Sequence, residues 1–104
     1  MKIDVSRGFE VGSFHYKVDM SDKAREELIG KDCYGDHLGY IKVIRVANNL
    51  GQDQVRNTFI HECIEAVNQQ YCNSKIKHDE ISNMANGLAQ IFKKLGIEFS
   101  NGGK

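Results

Sequence analysis

The spacing of apolar and polar residues changes once along the chain, from alternation in the first half to a three- and four-residue period in the second. Residues 9–18 alternate around Gly12-Ser13, a dipeptide suited to a tight turn, and predict a β-hairpin. Ser21 to Ile29 opens on a good N-cap residue, carries an acid in its first turn and stops at Gly30, the commonest residue just past a helix end, so a short helix is predicted. Tyr40 to Val46 is β-branched and aromatic and reads as a strand, paired with residues 32–36. Val55, Phe59, Cys63, Val67 and Tyr71, widened by Ile60 and Ile64, predict a helix of about 20 residues. A second amphipathic helix places Ile81, Met84, Ala85, Leu88, Ile91, Phe92 and Leu95 on one face and ends at Gly96, with Ser100 to Lys104 expected to fray. The loop around Cys72-Asn73-Ser74-Lys75 is short enough to make the two long helices antiparallel neighbours. The expected architecture is α+β: one domain over residues 1–104, a small antiparallel sheet packed on two long helices.

Composition narrows the function classes. At 104 residues there is room for one modest core, and 40% hydrophobic against 27% charged residues excludes the composition of a disordered chain. Fourteen basic residues balance fourteen acidic ones, so no overall field draws the chain to nucleic acid or to an anionic membrane. No apolar run approaches the ~20 residues of a membrane helix. The start, Met1-Lys2-Ile3-Asp4-Val5, alternates where a signal peptide has a continuous apolar stretch. Cys33, Cys63 and Cys72 are odd in number and lack C-x-x-C spacing, which fits a reducing compartment, and a cytoplasmic protein is the expectation.

The chemistry concentrates in Thr58-Phe59-Ile60-His61-Glu62-Cys63-Ile64-Glu65-Ala66. His61 and Glu65 are four residues apart on a helix, so both project from one face and can converge on one ion. Glu62, turned about 100° around the helix, can hold a water against that ion as general base without ligating it. A third ligand must come from elsewhere, and His78 extends the apolar stripe of the next helix by one turn toward the helix carrying His61. The plainer alternatives are a surface His61–Glu65 pair and a His78 that pairs with Asp79 or Glu80 at a helix start. Cys63 lies on the apolar stripe and reads as a core thiol, His15 and His37 as solvated histidines, Tyr40 and Tyr71 as core-edge residues.

The order of hairpin, short helix, Tyr34-Gly35-Asp36, the strand Tyr40-Ile41-Lys42-Val43, an Asn-rich loop and then Thr58-Phe59-Ile60-His61-Glu62-x-x-Glu65-Ala66 resembles the small zincin-like proteins of phages and prophages, which carry a T-L-L-H-E-x-x-H-A helix. The resemblance continues through His78-Asp79-Glu80-Ile81 and Ala85-Asn86-Gly87-Leu88 and covers most of the chain. It implies a minimal metallopeptidase in which His61 is the first ligand, Glu62 the base, and His78 or Glu80 the downstream ligand. It also implies an extended peptide or protein substrate laid along an edge strand, here residues 40–46, whose Lys42 and Arg45 alternatively blunt that edge. Tyr71 or a backbone N–H are the options for an oxyanion donor. The departure is Glu65, which stands where the family has its second histidine. A His, Glu, His set still has the ligand types of a catalytic zinc site; a harder ion such as Mn²⁺, or an inactive scaffold without metal that serves as a phage accessory binding protein, are the alternatives.

Overall fold

The computed structural model describes residues 1–102; the end of the tail expected to fray, Gly103 and Lys104, lies outside the described residues. The predicted hairpin forms from β2 (Phe9–Val11) and β3 (Phe14–Asp19), with Phe9 opposite Tyr16 and Val11 opposite Phe14. Gly12 takes the positive φ, +62°, that lets the chain reverse there. Short helix α1 (Asp22–Gly30) starts where expected, because the Ser21 side chain accepts a hydrogen bond from the Ala24 N–H at 3.1 Å, and it buries Ala24 and Leu28. Gly30 is its last helical residue rather than the residue past its end; the left-handed position falls at Asp32, φ +57°.

The predicted strand at residues 40–46 begins three residues late. Lys42 is left-handed (φ +59°) and Tyr40 is 96% exposed, so 40–42 are a turn and β5 is Val43–Val46. Its antiparallel partner β4 (Gly35–Leu38) overlaps the expected 32–36, with Gly35 opposite Val46. On its other side β5 pairs in parallel with β3, Val18 beside Ile44, because the chain passes through α1 and then β4, which runs opposite to both, before it turns back into β5. The sheet is therefore mixed, in the order β2-β3-β5-β4, and not wholly antiparallel. A second pair, β1 (Lys2–Asp4) with β6 (Glu98–Ser100), is parallel and was not expected from the sequence.

Helix α2 (Gln52–Tyr71) lies against the strands and α3 (His78–Lys94) rests on α2. Phe59 of α2 meets Phe99 of β6 at 4.7 Å between ring centroids and Phe9 of β2 edge-on at 6.1 Å. Gln52 receives the Phe99 N–H and donates to the Phe99 carbonyl, so a side chain takes the place of a neighbouring strand. The stripe predicted for α2 drifts, since residues spaced strictly by four rotate about 160° over four steps. Val67 and Tyr71 accordingly end up 43% and 69% exposed, while Ala66 and Asn68 are buried.

Arg45 ties the sheet to α1. Its guanidinium grips Asp36 of β4 with two bonds of 2.8 and 2.6 Å and also bonds Glu27 of α1, and Lys31 adds 2.7 Å to the same Asp36. Arg45 is buried and lies on an interior strand, so it does not blunt an edge. Burial alone would raise the Asp36 carboxyl, but the hydrogen bonds from Arg45 and Lys31 outweigh it and hold it below its ordinary 3.8. A carboxyl held low in the folded state adds stability above its unfolded value, and that stability is lost as pH falls through the lower folded value. Urea denaturation should thus show stability declining below about pH 4, and Asp36→Ala, which leaves Arg45 short of a partner, should cost about 3 kcal/mol at pH 7 and flatten that decline.

Candidate metal centre

His61 and Glu65 sit on one face of α2, and the six-residue loop brings His78, the first residue of α3, over them. Glu65 Oε2 is 3.5 Å from His61 Nε2 and 3.5 Å from His78 Nδ1, and the two imidazole rings are 5.0 Å apart at their centroids. One donor atom from each of the three lies within 4.8 Å of the others, a His-Glu-His group that can hold a metal ion. The spacing bears on that role. At 3.5 Å these pairs are longer than the 2.7–3.2 Å of a good N–H···O bond. Donor atoms around a tetrahedral ion with bonds of about 2.0–2.2 Å stand roughly 3.3–3.6 Å apart. The donor types and the two separations from Glu65 fit one divalent cation. Glu80 is not in the group, so of the two candidates for the downstream position the fold brings in His78.

Burial holds the His61 imidazole below its ordinary value, with His78 acting the same way and Glu65 opposing, which keeps it in the neutral form a metal needs. Its side chain is 15% exposed and that of Glu65 25%, whereas that of His78 is 71% exposed and leaves one side of the group open to solvent. Glu62, one residue on from His61, turns into the interior and is 8% exposed. It has no hydrogen-bond or ion-pair partner among the described residues. Burial first, then the charges of Glu65 and Asp36, push its carboxyl up to about 8. A cation held by its neighbours would favour the carboxylate again. Cys63 is a core thiol as read from the sequence, pushed up to about 12 by burial.

Asn68 positions His78, and the sequence gives little sign of it. Its buried side chain donates to the Ile76 carbonyl at 3.1 Å and accepts the Ile76 N–H at 3.0 Å, while its own carbonyl takes the Cys72 and Ser74 N–H groups. This knot holds Asn73 and Ser74 in consecutive left-handed conformations, φ +53° and +57°, which non-glycine residues adopt only when neighbours impose them.

His37, read as solvated, is instead part of the site. A polar cavity of about 410 Å³ opens between β4 and the α2–α3 loop, lined by His37, Glu65, Asn68, Gln69 and His78 among others. The His37 ring stacks on buried Tyr16 at 5.8 Å, and its Nε2 is sealed from solvent without a hydrogen-bond partner. Burial lowers its basicity, so the ring is neutral at pH 7. What places it there is Gly35. A Cβ at that position would stand 2.4 Å from Thr58 Cγ2, so only glycine lets β4 come this close to α2. Tyr40 lines the mouth of the cavity and Tyr71 is exposed, so neither is a core-edge residue.

Comparison of the chain with protein families, with curated proteins and with solved structures finds no match. The functional reading therefore stands on geometry and chemistry.

Asn68→Ala should lower stability by about 1–3 kcal/mol and weaken binding of a divalent cation at this group, titrated by calorimetry, roughly tenfold through the loosened loop, with Asn68→Asp intermediate because it keeps the acceptor for Ile76. His37→Phe preserves the stack on Tyr16 and removes an unpartnered nitrogen, so its melting temperature should equal or exceed that of the parent chain.

Proposed function

We propose that the protein is a metal-dependent hydrolase of the minimal zincin kind, acting on a peptide bond, with His61, Glu65 and His78 holding the ion. The observation that carries the reading is the meeting of three donors from two helices beside a buried carboxyl that is left out of the group. Two imidazoles and a carboxylate suit zinc, with Mn²⁺ the harder alternative. A divalent cation bound there supplies Lewis-acid polarisation of a carbonyl and acidifies water.

The chain's own residues supply the rest. Glu62 orients the attacking water, takes its proton as the oxygen bonds to the carbonyl carbon, and gives that proton to the departing amine as the C–N bond breaks. The strand available to an extended substrate is β4, not residues 40–46, because β5 lies inside the sheet and β4 at its margin against α2. The second reading, an inactive scaffold that binds a partner, is favoured by one observation only, the carboxylate of Glu65 in a helix resembling one that carries histidine there.

Elemental analysis of protein purified without added metal should find close to one zinc or manganese per chain, lost in His61→Ala. Glu62→Gln should retain the ion and lower cleavage of an unstructured peptide library by about 10²–10⁴-fold. Ion content indifferent to His61→Ala would sink the metal centre. An ion retained with no cleavage in the parent chain would leave the scaffold reading in its place.

A further inference from the structure

One turn beyond Glu65 on α2, the half-buried Gln69 lines the same cavity as Glu65 and His78. Its amide is held on several sides. The Tyr16 hydroxyl, on a side chain with no exposure to solvent, donates to Gln69 Oε1 at 3.1 Å, and Gln70 Nε2 stands 3.5 Å from the same oxygen. That hydroxyl also receives a hydrogen bond from Gln70 Nε2 at 2.9 Å, so its own single proton goes to Gln69. The oxygen of Gln69 is thereby turned inward. On another side lies Gly39, whose missing side chain leaves the space that the amide occupies: a Cβ there would stand 2.5 Å from Gln69 Nε2.

With the oxygen spoken for, the nitrogen is the free end of the group. Gln69 Nε2 has no hydrogen-bond partner among the described residues and, unlike His37 Nε2, is not sealed from solvent. A primary amide nitrogen donates and does not accept, so what it meets in the cavity is an oxygen. No lysine or arginine lines the cavity to hold a carboxylate, which leaves a neutral carbonyl as the fitting acceptor. Glutamine gives up much rotamer freedom when it is pinned in this way. A donor already pinned needs no reorganisation when its ligand arrives.

We propose that Gln69 Nε2 donates to a main-chain carbonyl of the bound peptide and so seats it in the cavity beside the ion. The occupant rests on the hydrolase reading above; the contact names the residue that holds its main chain. Four residues along a helix span about 6 Å, a distance that an extended peptide covers in about two residues. The carbonyl held by Gln69 therefore lies about two residues from the bond that is cut. Every residue of a peptide carries such a carbonyl, so the contact sets position and not sequence preference. Tyr16 acts through Gln69 as a positioning residue, and Gly39 keeps the space open.

Two measurements test this. The first needs neither metal nor cleavage: the side-chain NH₂ signals of Gln69, assigned by their absence from Gln69→Leu, are followed by proton–nitrogen NMR in the metal-free chain as a short capped polyalanine peptide is added. That probe offers main-chain carbonyls and no polar side chain, and the Gln69 signals should shift to saturation. The second is the kinetics of one peptide chosen from those that the parent chain cleaves. Gln69→Leu should raise KM about three- to tenfold with kcat little changed. Gln69→Glu keeps an acceptor for Tyr16 but has no proton to donate, and should raise KM at least as much, whereas a purely structural glutamine would tolerate it. Gly39→Ala removes no hydrogen-bonding group and crowds the amide, so KM should rise there too, which keeps the test valid if a Gln69 variant fails to fold. Ion content should be the same in all three variants. Gln69 signals that stay unmoved by the peptide, or an unchanged KM in Gln69→Glu, would overturn the proposal. Signals that shift in a chain found to hold no ion would fell the hydrolase and leave the peptide donor standing.

Discussion

Everything in this fold is arranged around a helix that is covered on two sides. The strands press on one face of α2 and α3 on another, so α2 carries more into the interior than its apolar residues: Arg56, Thr58, Glu62 and Asn68 are buried with them. Each polar group then needs either a partner or a use, because an unpaired one in low dielectric is costly. Arg56 finds the Ile97 carbonyl and Asp53, and Asn68 finds the inter-helix loop. Glu62 finds no partner among the described residues, and its carboxyl is shifted accordingly. That raised carboxyl sits one residue from His61.

The same covering explains why the third donor is so well placed. Packing of α3 on α2 through Ile81 and Ala85 fixes the helix direction, but the height of His78 above Glu65 is decided by the loop. Asn68 ties that loop back onto α2 through both hydrogen-bonding groups of Ile76. One buried amide thus converts a flexible connection into a measured one. On the opposite side of the cavity Gly35 performs the matching task for β4 by removing the only atom that would hold the strand away from Thr58.

Much of this is legible in the sequence, and the reasons for success and failure are physical. The two long helices, the hairpin and α1 follow from periodicity and a local cap, which need no knowledge of the rest of the chain. The His61–Glu65 pair is legible for the same reason, and the approach of His78 follows from a short loop between amphipathic segments. The parallel pairing of β3 with β5 and of β1 with β6 is hidden, because three- and four-residue strands carry too little pattern to reveal register. Arg45 looks like an exposed charge until β5 is known to be interior. His37 looks solvated until β4 is brought against α2, a placement that depends on Gly35, Thr58 and Arg45, which are far apart in sequence. Met84, Leu88, Ile91 and Leu95 of α3 are exposed, and they are misread as interior because sequence periodicity reports that a face is apolar, not whether this chain supplies its cover.

The parallel pair of β1 and β6 gives the domain a clasp. The Met1 amine donates to the Gly96 carbonyl at 2.6 Å across 95 residues of chain, and Phe99, next to that junction, closes over Phe59. Contacts so distant along the chain carry a large loop-closure entropy and gain little until everything between them is in place. When the clasp lets go, solvent reaches Phe59 and the aromatic rings around it, while the C-terminal turns of α2 are still held by the hairpin, through the Tyr16 hydroxyl on Gln69, and by the Asn68 knot.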